Sequence, residues 1–283
     1  MRIRKAYANR DCGKIVVILC LILLLLGILA EVVYQESHGE KRATIELMLK
    51  KSMEPVGKTM YIWGGGWNAC DDASGEESMQ LGIRPQWECF AKMQDENYDF
   101  REYEFQREKG LDCSGYVGWV LYNTFETRGG NEGYVTTSTD MAESLAERGW
   151  GCLLENPKEF LPGDIVSMEG HVWISLGTCQ DGSVLLVHSS PPGVSVCGTS
   201  MPVSRMENVE AGEVNTSVAI QLATKYMETY HSVWQEKYPN RKVALSYLEN
   251  ISVFRWGKNV MCDAEEFQRK SAEEIMGILS PDM

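Results

Sequence analysis

Ile15 to Ala30 reads IVVILCLILLLLGILA, and no charge falls between Lys14 and Glu31. Val32 and Val33 extend the run. Such a stretch does not belong on a water-exposed domain. At about 1.5 Å per residue it approaches, with its flanks, the roughly 30 Å hydrocarbon core of a bilayer. Before it stand Arg2, Arg4, Lys5, Arg10 and Lys14 against Asp11, a net of +4 in a chain of net −13, so the remainder carries −17. A basic flank stays inside and the body is exported, whether the run is a cleaved signal or a retained anchor. The run exceeds the usual signal core of about 7–15 residues. Ile28, at −3 from Ala30, is bulky for a cleavage site. Residues 1–35 are therefore expected to be a cytoplasmic flank and a single-pass anchor, with residues 15–33 in the cell membrane and the body outside. Secretion after signal cleavage is the alternative. Cys20 follows the large Leu19 inside the run, unlike a lipoprotein cysteine.

With 283 residues and 44% apolar content, the chain can bury one ordinary core plus an extension. The acidic balance argues against nucleic acid as a partner. Of nine cysteines, seven follow the apolar run: Cys70, Cys89, Cys113, Cys152, Cys179, Cys197 and Cys262. If one is a free nucleophile, six remain for three disulfides in any of 15 pairings; otherwise they are small buried hydrophobes. No C-x-x-C or paired-histidine spacing is found, so neither a structural zinc nor another cofactor is expected.

Along the body, Ile45, Met48 and Leu49 mark a short helix over Ala43–Met53. MYIWGGGWN, from Met60, reads as a strand end entering glycines. Residues 66–110 hold eleven Asp/Glu against five Lys/Arg and seven aromatics. They are expected to form an inserted surface loop with at most one short helix, packed on something through those aromatics. Helices are expected from Cys113 to about Thr127 and over Ser138–Arg148. HVWISLG and SVLLVHSS read as a β-hairpin around TCQDGS. Residues 201–283 are expected to be a helical C-terminal extension, with helical spacing from Val218 and a last helix from about Ala264 to Leu279.

Two features in this body point to chemistry. The first is LDCSGYVGW, which places Cys113 at the mouth of a helix. Unpaired N–H groups there favour thiolate, the reactive form. The second is the hairpin. His38 and His231 are most simply solvated, but His171 and His188 begin and end the two strands. If Leu176 faces Ser183, opposed residues share an index sum of 359, and so do His171 and His188. The imidazoles would then lie across one sheet face, about 5 Å apart at Cβ. A register error of one residue would part them. Thiol, base and orienting group together make an activated nucleophile, with a helix-start N–H and a tyrosine hydroxyl available to an oxyanion.

MYIWGG, LDCSGYVGW, LPGDIVSMEGHVWISLG and VLLVHSS occur in the order seen in the NlpC family of bacterial cell-wall cysteine peptidases, and from Glu40 to Cys197 the chain resembles that family. The resemblance implies an α+β, papain-like domain over residues 40–200, with the nucleophile helix on an antiparallel sheet. It implies Cys113 as nucleophile, His171 as base, His188 as orienter and Tyr61 beside the oxyanion. Tyr61, Asp112 and Ser114 match positions that hold the free amine of a peptidoglycan stem peptide. Trp63 and Trp173 read as core aromatics, Trp63 also being carried as a substrate-binding candidate. Gly64 and Gly65 read as a tight turn, and Asp164 as a turn residue. The implied activity is hydrolysis of stem peptides at D-glutamyl–diamino-acid bonds, without metal or cofactor. Alternatives are a CHAP-type amidase, a thiol acyltransferase or a non-catalytic wall-binding module. The insert and the tail depart from the family pattern.

Overall fold

The computed structural model describes residues 43–125, 132–202 and 217–280, all within one compact unit, Ala43–Met283. The apolar run, Cys12, Cys20 and His38 lie outside the described residues. Among those described, no helix is long and apolar enough to cross a membrane.

Helix α1, Ile45–Met53, starts where Thr44 Oγ1 accepts the Leu47 N–H at 3.0 Å, and it buries Ile45, Met48 and Leu49. Strand β1, Met60–Tyr61, leads into the insert, which holds helix α2, Pro85–Met93. Strand β2, Gly110–Leu111, pairs parallel with β1 and delivers the chain to helix α3, Cys113–Phe125. Helix α4 is Met141–Glu147 and strand β3 is Gly151–Glu155. Then follow β4 (Ile165–Met168), β5 (His171–Thr178), β6 (Val184–Ser190) and β7 (Gly193–Thr199). Last come α5 (Val218–Tyr230), α6 (Ser232–Lys237), β8 (Lys242–Val243), β9 (Ser252–Trp256) and α7 (Ala272–Leu279). The strands form one curled sheet in the order β2-β1-β7-β6-β5-β4-β9-β3, with β8 on β7. The class is mixed α+β.

The sheet is covered on both faces. Alternation along β5 sends Val172, Ile174 and Leu176 into a large core with α1, α3, α5 and α7. Trp173 goes the other way, into a smaller core with Phe160, Leu186, Cys197, Val243, Ile251 and Val253. Helix α3 is buried nearly all round, and Tyr116 donates its hydroxyl to the Ser52 carbonyl at 2.7 Å, tying α3 to α1.

Several expectations change here. The insert carries one short α-helix and packs through its aromatics as expected, but it packs into the main core rather than lying on the surface. Its helix α2 buries Trp87, Phe90 and Ala91, and Trp87 meets Trp119 of α3 edge-on at 6.3 Å. Asn123 of α3 holds the insert through Gln80 O and Gly82 N. The tail is not purely helical: β9 sits between β4 and β3, so residues after 201 complete the sheet. Its last helix begins only at Ala272. Among the described residues no disulfide forms; Cys179 and Cys197 are buried thiols, and Cys70, Cys89 and Cys152 are exposed.

Asp164 is more than a turn residue. It is fully buried and takes Arg255 of β9 in two bonds, Nε at 2.9 Å and Nη2 at 2.7 Å, plus the Leu161 N–H at 2.8 Å. Removing only the cation strands a buried carboxylate. Arg255→Leu should cost about 3–5 kcal/mol in urea unfolding, and the double variant Asp164→Leu/Arg255→Leu clearly less. Equal stability of wild type and Arg255→Leu would refute this.

Candidate active site

Two strand ends that part company create the site. The β5–β6 ladder begins near the turn with Thr178 facing Val184, an index sum of 362. That register alone would put His171 and His188 on opposite faces. A β-bulge at Leu176 changes the sum to 361, with Ser175 facing Leu186 and Ile174 facing Val187. Gly177, at φ +118°, carries the bulge, a left-handed value costly for any residue with a Cβ. The histidines thus share a face, as the sequence suggests, but as diagonal neighbours rather than an opposed pair. The sequence places the turn wrongly, and the bulge restores the parity. His171 Nε2 and His188 Nδ1 lie 2.9 Å apart.

Beyond Ile174 and Val187 the ladder stops, and the start of α3 is wedged into the opening. Ser189 Oγ donates to the Leu111 carbonyl at 2.7 Å. The Val172 N–H, unclaimed by β6, lies on the Cys113 side, and it acts with the N–H groups of Cys113 and Ser114 to favour the thiolate. The nucleophile candidate therefore lies against the residue that follows His171. Among the described residues no direct Cys113–His171 hydrogen bond is present. His171 spends Nε2 on His188, so Nδ1 is the nitrogen left to take a proton.

Asp112 is the N-cap of α3. It accepts the Gly115 N–H at 2.7 Å and the Ser114 hydroxyl at 2.9 Å, and Ser114 Oγ accepts the Trp67 indole N–H at 3.0 Å. The glycine turn packs directly on this helix start. A Cβ on Gly66 (φ +94°) would come within 2.5 Å of the Gly115 Cα.

The electrostatics reverse one expectation. The helix-start N–H groups do act on Cys113 to favour thiolate, but burial outweighs them and Asp112 adds to it, so the thiol is pushed up to about 12. Burial also pushes Asp112 up to about 6 against its four hydrogen bonds, and takes His171 down to about 4. His188 is lowered too, by burial first and then by His171 and the Arg241 guanidinium. These shifts favour the neutral thiol and neutral imidazoles at rest. Tyr61 is raised by burial, then by Cys113 and Asp112, and remains a phenol able to donate.

Tyr61, Trp63, Asp112, Cys113 and Ser114 all line one cleft of about 310 Å³, together with Gly170 at the hairpin tip before His171. His171 is half-buried and His188 almost wholly so. Trp63 is 51% exposed at the rim, which corrects its reading as a core aromatic, whereas Trp173 is fully buried. The insert contributes Trp67, Asp71 and Phe105 to the cleft wall. It also braces β1, where Tyr98 OH donates to the Tyr61 carbonyl at 2.7 Å and Phe100 meets the Tyr61 ring edge-on at 5.3 Å. His231, expected to be solvated, is half-buried against Gly57 and Tyr226, and is lowered to about 4 by burial and then Lys58.

Sequence reasoning misses Tyr247. Its ring lies 5.3 Å from His171 and 5.8 Å from His188, centroid to centroid. It comes from a 3-10 turn, Leu245–Leu248, inside RKVALSYLEN, which carries no motif. Among the described residues no group of three or more His, Cys, Asp or Glu is placed to hold a metal. No family model, no curated protein and no solved structure matches this chain.

Proposed function

We propose that this protein is a papain-like cysteine peptidase of NlpC type that cleaves peptidoglycan stem peptides, most specifically the D-glutamyl–diamino-acid bond, from an anchored position on the outer side of the membrane. One observation carries the proposal: a helix-start cysteine held at the backbone beside a histidine whose far nitrogen is bonded to a second histidine. In the reaction Cys113 gives its proton to Nδ1 of His171 as its sulfur attacks the peptide carbonyl. His171 Nε2–H remains bonded to His188 Nδ1, which orients the ring. The first-turn N–H groups and the Tyr61 hydroxyl receive the oxyanion. His171 then returns the proton to the leaving amine, and water releases the acyl group by the same route. Neutral resting partners fit a proton transfer that accompanies attack. Asp112, Ser114 and Tyr61 stand at the cleft floor to receive the free amine of the stem, and Trp63 and Phe105 stand at its rim.

The test is incubation of the full-length protein in detergent with purified muropeptides, read by mass spectrometry. A cut between D-Glu and the diamino acid is expected. Release of the whole stem from the muramic acid would replace this reading with the amidase, and unchanged muropeptides would reject both.

A further inference from the structure

We propose that Tyr247, carried by the segment after β8, is a positioning residue that seals the imidazole pair and keeps the His171–His188 hydrogen bond out of water. This rests on the peptidase reading above and extends it to a residue outside the region that resembles NlpC enzymes. His171 and His188 face the smaller core, where Trp173 and Leu186 are already buried. On that face the Tyr247 ring meets both imidazoles, tilted 59° to His171 and 72° to His188. Tyr247 is itself held: its N–H donates to the Ala244 carbonyl at 3.1 Å, and its ring packs on the smaller core. The segment is fixed on both sides. Before it, β8 pairs with β7 and the Gly198 N–H donates to the Arg241 carbonyl at 2.8 Å. After it, Ile251 N–H reaches Asn156 Oδ1 at 3.4 Å.

The other titratable or charged groups around the pair are Cys113 and Tyr61 on the cleft side, and Cys197 and Arg241 on the sheet and tail side. Arg241 is 3% exposed, has no acidic partner among the described residues, and leaves Nε and Nη1 unpaired. Its charge opposes a proton on His188, so His188 Nδ1 keeps the lone pair that accepts from His171. A hydrogen bond of this kind is stronger in a dry site than in water. Water admitted beside it would compete for His171 Nε2–H and stabilise a free imidazolium. The ring that excludes water thereby sets both the orientation of the base and the pH at which it titrates.

The chain has four histidines, so selective ¹⁵N-histidine labelling of the full-length protein gives four imidazoles, assignable by single substitutions. In wild type and Tyr247→Phe, His171 and His188 should both titrate well below the ordinary 6.5. In Tyr247→Ala at least one should titrate within about one unit of 6.5, the ordinary value for histidine. Hydrolysis by Tyr247→Ala should fall about 10–100-fold in kcat with KM little changed, and Tyr247→Phe should recover it to within about threefold. Tyr247→Val, which keeps part of the apolar packing but cannot cover the imidazoles, serves if the Ala variant does not fold, and should titrate like Ala. Wild-type histidine titration in a folded Ala or Val variant overturns the proposal, even if its melting temperature drops. The titration needs no substrate. If wild type cleaves nothing but the titration shifts as expected, the peptidase reading fails while the sealing role stands.

Discussion

Cys113→Ala should abolish hydrolysis of muropeptides, by at least about 10⁴-fold, in a protein that still folds. The size follows from the chemistry. The covalent route needs a nucleophile, and a site stripped of it retains only the help of the oxyanion donors and binding. Folding should survive because the sulfur is a small buried group whose loss removes no helix cap: Asp112, not Cys113, closes the first turn of α3. Ala at either of the other buried thiols, Cys179 or Cys197, should leave turnover intact. Chemical labelling should follow the burial pattern rather than helix position. With the thiol pushed up to about 12, Cys113 should react with iodoacetamide at pH 7 more slowly than exposed Cys70, Cys89 and Cys152. Measured turnover of a folded Cys113→Ala protein at more than about 1% of wild type would remove Cys113 from the mechanism.

The histidines should rank by role. His171→Ala should be the most damaging, because it deletes the proton acceptor. His188→Ala should follow, since the base keeps its nitrogen but loses the partner at 2.9 Å that fixes ring and tautomer. His188→Asn should be mildest, because an amide oxygen can still accept from His171 Nε2. The serine-protease precedent for losing an orienting partner is up to about 10⁴ in rate, and a neutral orienter should cost less. Full activity in folded His188→Ala would refute the assignment. The same residues shape stability against acid. His171 is lowered from 6.5 in the unfolded chain to about 4 when folded, and His188 is lowered as well. The unfolded state therefore takes up protons first as pH falls. The stability these rings contribute is complete above about 6.5 and is lost toward about 4. Asp112, raised from 3.8 to about 6, acts in the opposite sense over about pH 6 to 3.8 and offsets part of the loss. Urea titrations of His171→Ala should show a shallower fall over that window than wild type.

How much of this was legible in the chain differs from residue to residue. Helix α3 was readable because an aspartate cap, a cysteine and a run of apolar residues with helical spacing are local features. The two hairpin strands were readable because alternation and a turn are local as well. That the histidines share a face was inferred through the wrong register. The inference survives only because a bulge at Leu176 shifts the ladder by one after the turn had displaced it by three. A bulge depends on how the sheet must bend over α3, and no local pattern announces it. Trp63 was misjudged for the same reason: the sequence shows an aromatic after a strand, but whether it faces core or cleft depends on where the glycine turn lands.

The sequence by itself determined what is local: the apolar run and its charge asymmetry, the helix that presents Cys113, and the strands that carry His171 and His188. Tertiary structure alone decided what depends on distant partners. It brought β9 between β4 and β3, sank Asp164 against Arg255, and laid Tyr247 on the imidazole pair. It also reversed the expected acidity of the thiol. A helix start acts over one turn and can be read from a few residues, whereas burial is the sum of every segment that covers the site, and those segments come from both ends of the described chain.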